Sequence, residues 1–205
     1  MKSMMKKIVF VENYKKSIKY FFLIATLIFF VFCKKTEKPS TTYGFKGGDF
    51  SLHSYKGMFS LDQVRGKVVL IYFGFISCPD ICPTTLATVA RALKELDEEE
   101  VKNVQMLFIG VDTERDSLEK LERYTSFFRS QILPLTGTVS ELQKVASLYG
   151  AVFMKEEITS GIGYTMDHTT RVFVVDTYGK FVDSIPYGAT SFEISSKIRE
   201  YLENK

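Results

Sequence analysis

Residues 68–75 read VVLIYFGF and run directly into Ile76-Ser77-Cys78-Pro79-Asp80-Ile81-Cys82-Pro83. A continuous β-branched and aromatic run of this kind predicts a strand buried on both faces, the mark of a central sheet covered by helices. Gly66-Lys67 supplies the turn before it. Beyond it, Leu86, Val89, Ala90, Leu93 and Leu96 recur at helical spacing and predict a helix over residues 83–96. Pro83 suits the first helical position, where a missing N–H costs nothing. Two cysteines therefore fall in the loop between a buried strand and the helix that follows.

Working outward, residues 104–111 (VQMLFIGV) predict a second buried strand. Residues 117–128 predict a second helix with Ser117 as N-cap, and residues 140–148 a third, closed by Gly150. Residues 171–176 and 180–184 flank Thr177-Tyr178-Gly179 and read as a hairpin. The region 152–166 is expected to hold two short strands around Ser160-Gly161, and residues 191–202 a terminal helix. No internal repeat or low-complexity stretch interrupts the pattern. The order strand–helix–strand–helix–helix–hairpin–helix predicts an α/β domain, a central sheet flanked by helices. A dithiol at the strand–helix loop is what a thioredoxin-like fold presents. The domain is expected to occupy residues 44–205.

The formal charge of +3 divides unevenly. Residues 1–42 hold nine lysines and two glutamates (+7), and the remaining 18 basic and 22 acidic residues carry −4. The folded part has no basic excess for phosphates, so no nucleic-acid partner is expected. Residues 20–33 read YFFLIATLIFFVFC and follow a stretch rich in lysine and free of arginine. Lysines ahead of an apolar run hold that end in the cytoplasm. The run is short for a spanning helix and long enough for the apolar core of a signal peptide.

Residues 1–33 are thus expected to be a signal or anchor segment. One reading is an uncleaved anchor whose end is marked by Lys34 and Lys35. The other is a lipoprotein signal with Cys33 as the lipidated residue, although Phe30-Val31-Phe32 lacks the small residue that usually precedes such a cysteine. A cleaved, secreted form would lose Cys33. A mitochondrial transit peptide would be rich in arginine and amphipathic. Residues 34–43 read as a tether. The domain is expected on the outer or periplasmic side of a bacterial cell membrane.

One close cysteine pair does not make a disulfide-stapled scaffold. If the backbone is near-helical across Cys78 and Cys82, their i, i+4 spacing puts both sulfurs on one side, facing the positive end of the helix dipole. That field favours thiolate, the species that binds metal and the species that attacks disulfides. The pair is therefore a candidate for metal ligation and a candidate catalytic redox couple. Thioredoxin-type redox enzymes use two intervening residues, whereas three make a wider bite that can close around one ion. A disulfide is still accessible at this separation. The bland alternative, two small buried hydrophobes, sits poorly with the neighbouring prolines and Asp80.

The chain has two histidines. His53 lies in a polar stretch near a predicted strand end and reads as an exposed bystander. His168 precedes the RVFVVD strand and is expected at a strand end, in a loop. Taken alone, such a histidine is more often a structural polar residue than a ligand. Two thiolates with one imidazole would select copper over hard cations. The set suits three-coordinate Cu(I); Cu(II) would want a fourth, harder ligand. Structural zinc wants four protein ligands where three are visible.

Residues 70–86 (LIYFGFISCPDICPTTL), 109–117 (IGVDTERDS), 135–138 (LTGT) and 167–181 (DHTTRVFVVDTYGKF), with 50–69 upstream, resemble the Sco/SenC family of copper chaperones. The resemblance covers residues 44–205. It implies a thioredoxin-like fold that binds one copper ion through Cys78, Cys82 and His168. It further implies service in assembling the dinuclear copper centre of cytochrome c oxidase subunit II, by delivering copper, reducing that centre's cysteines, or both. Family members are anchored facing the periplasm or the mitochondrial intermembrane space. One departure is visible: Ile76-Ser77 stand where many members have Thr-His. No family ligand is lost, although access or redox tuning could change. Asp80 is expected beside the ligands and not among them.

Two other functions compete with a copper-binding assembly factor. A thiol–disulfide oxidoreductase acting on a partner's cysteines would not require His168. A peroxidase-like enzyme on the same fold would need an arginine beside the attacking thiolate, and Arg171 has no assigned role there.

Overall fold

The computed structural model describes residues 44–129, 131–158 and 163–203. In chain order these form β1 (Ser51–Ser54), β2 (Gly57–Ser60), a 3-10 turn (Leu61–Val64), β3 (Val68–Gly74), α1 (Ile81–Lys94), α2 (Glu98–Lys102) and β4 (Val104–Gly110). There follow α3 (Leu118–Phe128), β5 (Ile132–Leu135), α4 (Val139–Tyr149), β6 (Phe153–Glu157), β7 (Tyr164–His168), β8 (Val172–Val175), β9 (Phe181–Ile185) and α5 (Ser191–Glu203).

Five strands make the central sheet in the order β5-β4-β3-β8-β9. β3, β4 and β5 run parallel, and β8 and β9 continue the sheet antiparallel. Parallel neighbours need a crossover, and the helical segments between β3 and β4 and between β4 and β5 supply it. Every residue of β3 is buried, as its unbroken apolar run predicts. Helices flank the sheet, and the whole is a thioredoxin-like fold. α1 buries Leu86, Val89 and Leu93 on one stripe and packs against α5, which contributes Ile194 and Ile198. Truncating a buried leucine of this kind to alanine costs about 2–5 kcal/mol. β1–β2 and β6–β7 are separate two-stranded sheets.

The expected helix ends hold well. Ser117 caps α3 by accepting from the Lys120 N–H, and Gly150 closes α4 with φ +70°. Other expectations need correction. α1 begins at Ile81, so Pro83 takes the third helical position, still within the turn whose N–H groups have no intrahelical partner. His168 is the last residue of β7 and not a loop residue. β5 lies outside the strands expected from the sequence, and its Pro134 is a residue that argues against a strand. It is tolerated because β5 is the sheet edge. The five-residue α2 was also not anticipated, although Asp97 and Glu100 form a reciprocal capping box at its start.

The segment 1–33, the tether 34–43 and Cys33 lie outside the described residues. Among the described residues, no helix is long and apolar enough to cross a membrane.

Candidate metal centre

Cys82 reaches the site because Gly74 leaves room for its sulfur. It is the second residue of α1, with its side chain turned inward and fully buried. Its sulfur lies over the end of β3 at Gly74, where an added Cβ would stand 2.9 Å from Sγ. The Tyr72 hydroxyl lies 3.7 Å from the same sulfur and donates to it. Burial first, then the nearby sulfur, pushes the Tyr72 phenol above its ordinary range, so it remains a donor.

Cys78 sits before the helix, half-buried. Its sulfur accepts from the Cys82 backbone N–H at 3.4 Å, one of the unpaired donors of the helix start. The backbone between the cysteines is not helical throughout: Asp80, just before the helix, has φ −142° and ψ −63°. The expected common face therefore arises from a bent loop that folds one sulfur over the helix N-terminus. Asp80 stands beside the sulfurs and not among the donors, as expected. Its carboxylate accepts from the Thr84 hydroxyl at 3.2 Å, and its backbone N–H assists the Cys78 sulfur.

The two thiols are unequal. A hydrogen bond from the Cys82 thiol, opposed by burial and aided by the backbone N–H groups of Cys82 and Asp80, draws Cys78 down to about 4. The same hydrogen bond, now holding the proton on Cys82, together with burial pushes Cys82 far upward. The half-buried sulfur is thus the more acidic of the two, and the buried one the better proton holder.

His168 arrives from β7, 86 residues after Cys82, and its Nε2 lies 3.5 Å from the Cys82 sulfur. Its Nδ1 lies 3.1 Å from the Thr169 carbonyl oxygen. A carbonyl can only accept, so this contact assigns the proton to Nδ1 and leaves the Nε2 lone pair toward the sulfurs. The ring is edge-packed by Tyr72 and Phe75, with centroids 6.0 Å and 5.7 Å away. Asp116 fixes the loop above the sulfurs by accepting from the Ile76 N–H at 2.9 Å.

The ligand atoms of Cys78, Cys82 and His168 all lie within 4.8 Å of one another. Donors sharing one small ion at about 2.3 Å for sulfur and about 2.0 Å for nitrogen stand roughly 3.5–3.8 Å apart. The observed Cys82–His168 separation falls at that value, and with all three donors within 4.8 Å the set needs a contraction of at most about 1 Å to share a single soft ion. His53 is exposed in β1 and bridges by its backbone to Thr136, away from this group. Arg171 donates to the Ser184 hydroxyl and carbonyl, which ties it to β9 and removes the arginine considered for a peroxidase.

Several residues of the site were not read from the sequence. Gly74 was visible as the one glycine in an apolar run, a sign of close approach. Tyr72, Phe75, Thr169 and Asp116 carry no local signal, because their role depends on elements that meet only in three dimensions.

The family model described as SCO1/SenC matches residues 38–203. The protein from Saccharomyces cerevisiae called "Protein SCO2, mitochondrial" is 33% identical over 159 residues, 77% of this chain and 53% of that relative. The chain thus spans about half the length of this curated relative. Among solved structures, Arabidopsis thaliana ScoI with copper bound is 29% identical with a TM-score of 0.71, covering 78% of this chain and 99% of that one. Yeast Sco1 with copper bound is 34% identical with a TM-score of 0.70, covering 78% and 89%. With its cysteine pair and histidine gathered on a thioredoxin-like sheet, and matched across nearly all of its described length, the chain belongs to the SCO1/SenC family.

Proposed function

We propose that this protein is a copper-binding chaperone for assembly of the dinuclear copper centre of cytochrome c oxidase subunit II. One copper ion, carried as cargo, is held by Cys78, Cys82 and His168. The observation that carries this reading is the convergence of two sulfurs and one imidazole nitrogen within 4.8 Å. Copper-bound relatives with the same fold support it. Soft thiolates and imidazole select copper, and three donors leave one side open.

The residues have distinct tasks. Cys78, already a thiolate at neutral pH and half-exposed, is the first donor to engage and the one an incoming ligand can reach. Cys82 gives up its proton when the ion arrives, so loading releases a proton. His168 offers Nε2 without reorganising, because Nδ1–H is already bonded to the Thr169 carbonyl. Tyr72 supports the Cys82 sulfur from the core. We assign residues 1–33 to membrane attachment, by lipidated Cys33 or by a retained anchor, and residues 34–43 to a tether. The domain 44–205 then faces the outer side of a bacterial cell membrane.

A second reading is favoured by one observation, the inequality of the thiols. A low-pKa, accessible Cys78 backed by a protonated Cys82 is the arrangement of a nucleophile and its resolving partner. In that reading the pair reduces a partner's disulfide. His168→Ala separates the two. In the purified, reduced full-length chain, wild type is expected to bind one equivalent of Cu(I), and the variant to lose most of its affinity while still forming a Cys78–Cys82 disulfide. A variant that holds copper as tightly as wild type would refute the three-donor site.

A further inference from the structure

The donors of the site come from two separate pieces of the fold. The sulfurs lie on the loop and helix after β3, in the central sheet. The imidazole ends β7, whose only strand partner among the described residues is β6. Nothing in the β6–β7 ladder itself determines where His168 stands relative to the sulfurs. The stretch Val111-Asp112-Thr113-Glu114-Arg115-Asp116-Ser117, which has no part in binding cargo, touches both pieces.

Toward β7, the Tyr164 hydroxyl donates to Asp112 Oδ1 at 2.9 Å, and Arg115 Nη1 donates to the Tyr164 carbonyl at 3.1 Å. The Arg115 guanidinium also lies 3.8 Å from the centre of the Tyr164 ring and pairs with Asp112. Glu114 pairs at 2.8 Å with Lys155 of β6, whose ammonium lies 3.9 Å from the ring centre of Tyr164, its diagonal neighbour on β7. Toward the sulfurs, Asp116 accepts from the Ile76 N–H, two residues before Cys78. The Asp116 N–H donates to the Asp112 carbonyl at 3.0 Å, which closes the stretch into one turn.

The two carboxylates are 2% and 4% exposed. A buried carboxylate is tolerated only when it is bonded, so these contacts are required and not incidental to a charged surface. Tyr164 and His168 are four residues apart on one strand, on the same face and about 13 Å distant. Holding the first end of so short a strand sets the position of the other.

We propose that Asp112, Arg115 and Tyr164 are positioning residues for the His168 imidazole, and that Asp116 is the positioning residue for the cysteine loop. This one turn thereby sets the distance between nitrogen and sulfurs. The proposal rests on the copper site described above.

The test uses the full-length chain with Tyr164→Phe, Asp116→Ala and Asp116→Asn, each in wild-type and His168→Ala backgrounds. Cu(I) affinity is read by competition with a chromogenic chelator, and folding by thermal melting. Partners that orient a ligand are worth about 10- to 100-fold in metal affinity. Tyr164→Phe is expected to lose about tenfold in the wild-type background and nothing further in His168→Ala, because it acts through the imidazole. Asp116→Ala is expected to lose affinity in both backgrounds, with Asp116→Asn restoring it, since an amide oxygen can still accept from Ile76. Equal copper binding by Tyr164→Phe and wild type would overturn the proposal and leave the copper site standing. The same loss for Tyr164→Phe in both backgrounds would also overturn it, as the signature of general loosening. A wild-type chain that binds no copper would overturn the copper site and the proposal with it.

Discussion

Replacing Gly74 with alanine tests whether the Cys82 sulfur owes its position to a missing side chain. The new Cβ would stand 2.9 Å from Cys82 Sγ and 2.8 Å from Phe108 Cε2. Ordinary non-bonded contact lies at about 3.5–4.0 Å, so the sulfur must retreat by roughly 0.6–1 Å. It has little freedom to do so, being fully buried at the first turn of α1 with the Tyr72 hydroxyl beside it. Overpacking of this kind costs about 1–3 kcal/mol. If the whole penalty falls on the copper-binding arrangement, affinity drops roughly 5- to 140-fold, at about 1.4 kcal/mol per decade.

Gly110 provides the control. It pairs with Gly74 across β3 and β4, and a Cβ there would stand 2.8 Å from Leu121 Cδ1 instead of a sulfur. Gly110→Ala is expected to lower the melting temperature without weakening copper binding. Cu(I) competition and thermal melting on both variants decide the matter. Gly74→Ala with copper affinity within about twofold of wild type would refute the reasoning, as would equal losses of affinity in the two variants.

Two further outcomes concern the thiols. In the reduced, metal-free chain, alkylation of Cys78 by iodoacetamide is expected to titrate near pH 4 and to be flat through neutrality. A midpoint near the ordinary thiol value of about 8.5 would contradict the assigned hydrogen bonds. Because the folded value lies below the unfolded one, stabilisation from this thiolate is complete above the unfolded value and is lost as pH falls through about 4. The difference in urea midpoint between wild type and Cys78→Ser should shrink accordingly on acidification. Oxidation of the Cys78–Cys82 pair is expected to release the ion, since a disulfide supplies no thiolate. Stoichiometric copper on the fully oxidised chain, measured by metal analysis after gel filtration, would count against both sulfurs as donors.

Much of this molecule is legible in one dimension. The run 68–75 announces a strand covered on both sides because only full burial rewards eight residues with so few polar groups. Ser117 and Gly150 mark helix ends because capping chemistry is local. The cysteine pair advertises itself by spacing and by its place at a strand–helix junction. Short edge elements were less legible. β5 carries a proline that an interior strand would reject, and its place at the sheet edge is a property of the assembled sheet.

The chain alone determined which atoms are available for a soft site: two sulfurs near a helix start and one imidazole far downstream. Tertiary structure alone decided that they meet. Joining positions 86 residues apart requires β7 to be gripped by the β4–α3 turn, Gly74 to clear a volume for Cys82, and the Thr169 carbonyl to hold the ring by its far nitrogen. It also decided that the two thiols differ, because one sulfur lies over exposed N–H groups while the other is sealed in the core. Such effects arise from distance and burial, which no local pattern encodes.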